Sequence, residues 1–533
     1  MLSEDRFFQT DNTMEIWRRY CGFLDLSLTE FMEIQRHLLM EQVKLVANSP
    51  LGKALMKGRK PGSVEEFRQL VPLTTYEDYI PYIGKCQEDA LVEKPLFWCH
   101  TAGRGGNFKW IPYTASAFER ISRYAMAGGI LASADSKGEV NLRPGARLLL
   151  NVASRPYASG SLMFHLANYF TYRPIPPLPQ AEAMEFQQRI EAGFALALRE
   201  GVDFIFSMSS VLAKIAEGFV EEEKKLKFSP SMLHPAVSSR LAWAWLVSRI
   251  ERRKVLPKDL WHARGIITFG VDTSIYREEI ARYWGKTPFE IYGTTEMITS
   301  AMQSWNKKGM TFLPDVAFWE FIPERERQRS RENGGHQPAT VLLDELKAGE
   351  QYEVVYTHFH GMPLVRYRIG DLIRVLSLED RETGVRQPQI TFQARASEVI
   401  DLAGLTQLDE KTVWKALEAT GVRYEEWTAR KEYDHNVGFL RLYIELKEDE
   451  RGQEREIEQR LDEQLKALDV DYRDLEGWLG LQPVRVTILP PGTFQRYYEE
   501  RKRAGADLVH LRPPQINPPE VVVQQLFQFA RSG

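Results

Sequence analysis

The chain has 533 residues, 43% hydrophobic and 27% charged, with a formal net charge of -4. That balance suits a globular protein of several domains with a large core, and it excludes a chain built to coat nucleic acid. Three scattered cysteines (Cys21, Cys86 and Cys99) make neither a disulfide framework nor a zinc pattern and fit a reducing compartment.

Met1 to Asp11 is acidic and polar, unlike a secretion signal, and no run of about 18 apolar residues appears. The expectation is a cytoplasmic protein that binds neither membrane nor nucleic acid.

Apolar residues recur at helical spacing from Leu26 to about Asn48, and Pro50 is expected to close that helix. Thr75 caps a short helix, with Asp78 placed to reach back. Trp98 to Lys109 is glycine-rich and too polar for a core strand. A helix follows from about Thr114.

Strand and helix then alternate. Strands are expected at Arg147 to Val152, Asp203 to Phe206, Gly265 to Phe269 and Phe289 to Tyr292. Helices are expected at Ala181 to Leu198, after Ser210, and at Ser274 to Trp284. Alternation of this kind argues an α/β fold with a largely parallel sheet.

After about Thr311 the texture becomes mostly β, with strands at Val316 to Ile322, Thr340 to Leu343, Tyr352 to Thr357 and Leu372 to Leu376. The charged stretch Pro323 to Gln337 reads as a mobile surface loop. From about Ala396 a third texture suggests a small α+β domain. It has helices at Asp409 to Ala419 and Glu454 to Leu468, and an alternating strand through Leu440, Leu442, Ile444 and Leu446.

Three segments carry candidate chemistry. Thr101-Ala102-Gly103-Arg104-Gly105-Gly106-Asn107-Phe108-Lys109 offers backbone N–H groups, a hydroxyl and cations to an anion, although a plain linking turn uses glycine equally well. It lacks the Gly-Lys-Ser/Thr ending of the kinase and ATPase phosphate loop.

Tyr292-Gly293-Thr294-Thr295-Glu296 presents a flat ring, two hydroxyls and a carboxylate that suits Mg²⁺. A strand end capping a helix accounts for it equally well. Gly370-Asp371 reads as a tight turn whose carboxylate is able to accept the hydroxyls of a ribose; a plain hairpin turn reads the same way.

The order of the three changes their weight. The chain resembles the adenylate-forming superfamily of acyl-CoA synthetases, adenylation domains and luciferases. Within it the chain is similar to the Gretchen Hagen family of acyl acid–amido synthetases.

Further segments carry the resemblance along most of the chain. They include Ser63 to Phe67, Val71 to Asp78, Trp319 to Pro323, Gly349 to Val355, Pro491 to Phe494 and Gly505-Ala506. It implies a large N-terminal adenylation domain over 1–395, with a β-rich part at about 311–395. A small mobile C-terminal α+β domain over 396–533 would swing about a hinge near Arg395.

The resemblance also implies site roles. Thr101, Gly103, Gly105, Gly106 and Lys109 would lie along the phosphates of ATP. Gly270 and Val271 would border the adenine, and Tyr292 would stack on it. Gly293 and Thr294 would complete the nucleotide turn. Thr295 would face the α-phosphate, Glu296 would bind Mg²⁺, Asp371 would hold the ribose and Arg395 would add a second contact.

Two departures stand out. Arg104-Gly105 replaces expected hydroxyls, and Arg512, in Leu511-Arg512-Pro513-Pro514, stands where a lysine-bearing segment is expected.

The expected reaction joins a small carboxylic acid to AMP and then passes the acyl group to an amine, that of an amino acid. An acyl-CoA ligase with a thiol acceptor, and a nucleotide-binding protein with weak or lost catalysis, are the alternatives. Cys99-His100 reads as a buried strand-end pair. His358 and His360 share a strand face without a third metal ligand, and Ser154 to Tyr157 offers Arg155 to pair a substrate carboxylate, although a loop arginine is usually solvated.

Overall fold

The structure is a computed structural model. It describes residues 2–10, 12–101, 109–184, 186–221, 234–269, 273–332, 337–395, 399–402, 406–434, 437–447, 450, 452–469, 472–473, 483–503 and 512–531. The chain divides into two compact units. One comprises 1–369 and 373–392, the other 370–372 and 393–533.

The first unit begins with helices. Leu28–Val46 starts at Ser27, whose hydroxyl accepts from Glu30 N–H while the Glu30 carboxylate accepts from Ser27 N–H, a reciprocal capping box. Pro50 does not simply stop this helix. It opens the next, Pro50–Leu55, at a position where its missing N–H costs nothing, with Ser49 as cap. The Thr75 N–H donates to Asp78 at 2.8 Å, as expected.

A two-stranded hairpin, β1 (Phe97–His100) and β2 (Trp110–Tyr113), frames the glycine-rich segment. The first three residues of that segment, Trp98 to His100, are thus strand, with Cys99 fully buried. Thr114 caps the helix Ala115–Ser133.

The main sheet contains β3 (Ala146–Asn151), β4 (Tyr172–Ile175), β5 (Phe204–Met208), β6 (Gly265–Phe269), β7 (Phe289–Tyr292) and β8 (Ala301–Gln303). It continues with β9 (Met310–Phe312), β10 (Ala317–Pro323), β11 (Gln351–His358), β12 (Tyr367–Ser377) and β13 (Gln389–Arg395). The strand order is β10-β11-β12-β13-β9-β8-β7-β6-β5-β3-β4.

The β4-β3-β5-β6-β7 half is parallel. Its crossovers are helical, as parallel pairing requires: Ala158–Leu166, Phe186–Glu200, Ser209–Glu221 with Pro235–Ile250, and Thr273–Trp284. Alternation along these strands feeds two separate cores. Leu150, Phe204 and Ile267 join one; Leu149, Ile205 and Ile266 join the other. Both faces are therefore covered, which explains the near-continuous apolar runs in sequence. From β7 onward, the pairs β7–β8, β8–β9, β9–β13 and β10–β11 are antiparallel.

Several expectations fail for identifiable reasons. The charged stretch after Pro323 is not a mobile loop but opens as a helix, Glu324–Glu332, whose Arg327 is buried beside Glu324. Thr340 to Leu343 makes only one bridge, Val341 to Phe321, before a short 3-10 turn at Leu343–Glu345. The helix expected over Ala181 to Leu198 is two helices, Leu178–Glu182 and Phe186–Glu200. Gly370-Asp371 makes no hairpin turn. It lies inside β12, where Gly370 takes φ +82°, a conformation that favours glycine.

The second unit, taken by itself, has a small antiparallel pair, β14 (Ile400–Leu402) and β15 (Thr406–Leu408). Its main sheet joins β16 (Tyr424–Asp434) antiparallel to β17 (Val437–Leu446), with β18 (Val484–Leu489) parallel on the other side of β17. The helix Glu410–Ala419, capped by Asp409, and the helix Glu454–Leu468 share its apolar core with this sheet.

Candidate active site

Two backbones converge in the first unit. At the base of the β1–β2 hairpin, Thr101 N–H donates to the Lys109 carbonyl at 3.0 Å. Lys109 N–H donates to the Thr101 hydroxyl at 3.2 Å. This double bond between the ends of the segment fixes where the Lys109 side chain starts.

The second backbone is the turn after β7. Thr294 N–H donates to the Met297 carbonyl, and Met297 N–H donates to the Thr294 hydroxyl at 3.1 Å, so the Thr294 side chain holds the turn itself. Gly293 is required here. A Cβ would come within 2.1 Å of the Ile298 carbonyl oxygen, far inside contact distance. No helix follows, so the helix-cap explanation of the segment fails.

The Tyr113 hydroxyl ties the two backbones. It donates to the Thr295 carbonyl at 2.8 Å and accepts from Ile298 N–H at 3.1 Å.

The outcome is a meeting of charges. Lys109 Nζ lies 3.9 Å from Glu296 Oε1; the lysine side chain is 42% exposed, while Glu296 is 4% exposed. The Tyr367 hydroxyl reaches the same carboxylate at 3.4 Å. The His358 ring donates from Nε2 to the Glu296 carbonyl at 2.9 Å. Lys109 Nζ also lies 5.4 Å from the Tyr76 ring centroid.

Burial, reinforced by the Glu296 charge, pushes the hydroxyls of Tyr113, Tyr356 and Tyr367 well above their ordinary value. Burial, again with help from the Glu296 charge, pushes Tyr76 up to about 12. The carboxylate is therefore surrounded by neutral phenols. A loose cation–carboxylate pair of this kind has contacts left for a ligand.

Mg²⁺ takes one or two carboxylates plus phosphate and water oxygens. Glu296 supplies one buried carboxylate, and no cluster of three or more His, Cys, Asp or Glu stands among the described residues. That donor set suits Mg²⁺ shared with phosphates rather than a metal caged by protein alone.

The Tyr292 ring is buried beside Phe392, with centroids 5.8 Å apart and planes at 35°. Thr295 is half-buried. Gly103, Arg104, Gly105, Gly106, Gly270 and Val271 lie outside the described residues.

In the second unit Asp371, 1% exposed, faces Arg395 at 3.5 Å. Arg512 is held by Glu426 at 3.2 Å, and Glu426 also accepts from the Tyr498 hydroxyl and the Gln515 amide.

Of the residues set aside, Cys99 is buried at a strand end as expected, whereas Arg155 is paired with Glu182 rather than solvated. Burial pushes the Cys99 thiol up to about 12, which does not suit a nucleophile. Arg155 lines a cavity of about 460 Å³ with Trp98, Ser154 and His165, but Glu182 already occupies its guanidinium.

The sequence assigned no role at this site to Tyr113, His358 or Tyr367. Tyr113 and Tyr367 sit on strands as ordinary buried aromatics. The one available signal was the nearby pair His358 and His360, of which only His358 is on β11; His360 lies in the turn beyond it at φ +56°, so the two do not share a strand face.

Comparison with known proteins shows the family of the chain. The model of the GH3 family N-terminal domain matches residues 22–289, the central domain 310–395 and the C-terminal domain 409–518.

A rice protein (Oryza sativa subsp. japonica), probable indole-3-acetic acid-amido synthetase GH3.1, is 22% identical over 93% of this chain and 88% of its own length. The 4-substituted benzoates-glutamate ligase GH3.12 of Arabidopsis thaliana is 27% identical over 38% of this chain and 36% of its own. Among solved structures, the AtGH3.15 acyl acid amido synthetase superposes with a TM-score of 0.66 at 16% identity, covering 97% of each chain. A 2-hydroxyisobutyryl-CoA ligase in its postadenylation state gives 0.58 at 14% identity over 95% of this chain and 94% of its own.

The fold is that of this acyl acid amido synthetase and this CoA ligase. The chain belongs to the GH3 family, whose three domain models between them account for most of its length. No helix among the described residues is long and apolar enough to cross a membrane.

Proposed function

We propose that this chain activates a carboxylic acid with ATP and transfers the acyl group to the amine of an amino acid. The observation that carries the reading is the approach of Lys109 to Glu296 across 3.9 Å, joining the end of the glycine-rich segment to the turn after β7.

A carboxylate oxygen of the acid attacks the α-phosphorus, and the bond from that phosphorus to the bridging oxygen breaks, releasing pyrophosphate. The amine nitrogen then attacks the acyl carbon. The bond to the AMP oxygen breaks, and the amine loses a proton. The chain positions the reactants and meets developing charge.

Lys109 neutralises phosphate oxygens, assisted by Thr101 and by Gly103, Arg104, Gly105 and Gly106. The Thr295 hydroxyl donates to the α-phosphate from the turn that Gly293 and Thr294 shape. Gly270, Val271 and Tyr292 border the adenine. Asp371 holds the ribose with Arg395, and Arg512 contributes charge in the second unit. Glu296 holds Mg²⁺, which when bound screens the phosphate charge. Domains divided near residue 395, with a mobile second part, belong to the same reading.

ATP–pyrophosphate exchange against a panel of carboxylic acids tests the proposal. Amino acids or CoA are then added and the product is weighed by mass spectrometry. Exchange with at least one acid and an amide product are expected. A thioester without amide assigns a thiol acceptor instead, and ATP binding without exchange for any acid contradicts the proposal.

A further inference from the structure

Glu296 lies in the stretch between β7 and β8 that has no regular ladder, so its backbone carbonyl has no strand partner. Its partner comes from the end of β11. His358 Nε2 stands 2.9 Å from that carbonyl oxygen. On the other side of the ring, Leu364 N–H meets Nδ1 at 3.3 Å.

A carbonyl only accepts and a backbone N–H only donates. Nε2 must therefore carry the proton and Nδ1 the lone pair. The ring is held in one neutral tautomer by two backbone groups. It is fully buried, so water cannot replace either bond. The backbone of His358 adds a third tie, with its N–H donating to the Leu364 carbonyl at 2.8 Å.

We propose that His358 is a positioning residue for Glu296. Its Nε2–H pins the Glu296 carbonyl and thereby sets where the carboxylate stands for the metal–phosphate group. The inference rests on the adenylation reading above.

The carboxylate that this bond orients is the one facing Lys109 at 3.9 Å and Tyr367 at 3.4 Å. Rotation of the peptide at Glu296 would carry it away from both. Groups that orient a metal ligand commonly change metal affinity by 10–100-fold when lost.

Two substitutions separate positioning from simple support. His358→Gln keeps an N–H donor about as far from the backbone as Nε2. His358→Asn keeps an acceptor near the place of Nδ1, but its donor falls short of Glu296. Each leaves one buried backbone group unpaired, so both are expected to melt earlier to a similar degree.

Metal affinity should separate them. Mn²⁺ binding to enzyme plus a non-hydrolysable ATP analogue is read by electron paramagnetic resonance, beside the Mg²⁺ concentration for half-maximal exchange. The Asn variant is expected to bind metal roughly tenfold or more weakly, and the Gln variant within about threefold of the parent.

Equal metal affinity in the two variants overturns the proposal, as does a loss that merely follows melting temperature. If the Asn variant does not fold, the Gln variant decides alone, and a tenfold loss despite its retained donor overturns the claim. A parent protein with no metal-dependent exchange would instead sink the adenylation reading.

Discussion

Arg366–Glu320 and Lys109–Glu296 are both cation–carboxylate pairs of the first unit, and they are built for opposite purposes. Arg366 binds Glu320 through two nitrogens, at 2.8 and 3.0 Å, and its remaining donors meet the carbonyls of Arg68 and Val71 at 2.6 Å. Both partners are buried. The guanidinium fastens strands β10 and β12 to the end of the helix Val64–Leu70 and has nothing to offer a ligand.

Lys109–Glu296 is longer, single and half open on the lysine side. Charge buried beneath an exposed cation is a poor fastener but a good place for phosphate and metal. Geometry, rather than the presence of an ion pair, tells support from site.

The largest expected effect strikes the fastener. Arg366→Ala takes the two-nitrogen partner from buried Glu320 and leaves only Arg68 Nε at 3.5 Å, at a cost of about 3 kcal/mol, seen as an early denaturant midpoint. A midpoint close to the parent would show that this pair is not the support described.

Lys109→Ala should do the reverse. Its stability change stays below about 1 kcal/mol, because a half-exposed pair contributes little. Its pyrophosphate exchange falls about 10²–10³-fold, typical of removing one transition-state contact. Unchanged exchange in that variant erases the contrast between the pairs.

Gly293→Ala forces a methyl against the Ile298 carbonyl. It should cost about 1–3 kcal/mol, the usual range for overpacking, and lower exchange as well.

Acid melts give the gentlest test. Burial pushes the His358 imidazole down to about 3, against about 6.5 in an unfolded chain. The unfolded chain binds that proton first, so stability held above about pH 6.5 is lost as pH falls toward 3. His358→Gln should decline less steeply over that window. Tyr76 has the opposite sense. Its hydroxyl, pushed up to about 12, contributes below about pH 10 and loses that contribution as pH rises through 12. A variant and parent with parallel acid melts would contradict the buried neutral ring.

Local rules carried the sequence reading a long way. The helix starts near Thr114 and Asp409 and the strand end at Tyr292 lay in short-range patterns that local chemistry dictates. Where the reading failed, the local cue was open to more than one outcome. Pro50 and Gly370 are punctuation in sequence, yet one starts a helix and the other continues a strand. The charged stretch after Pro323 looked solvated because nothing local reveals that Arg327 is buried.

The site divides the same way. Thr294 and Glu296 were legible in one pentapeptide. Tyr113, His358 and Tyr367 reach them from strands far away in the chain, and strand alternation labels such residues only as buried.

Glu296→Gln bears most directly on the comparison, because it keeps shape and removes only the charge. With the best acid from the panel, the account predicts near-parental melting and Mg²⁺-dependent exchange reduced at least about a hundredfold. Parental exchange with an unchanged Mg²⁺ requirement would contradict it.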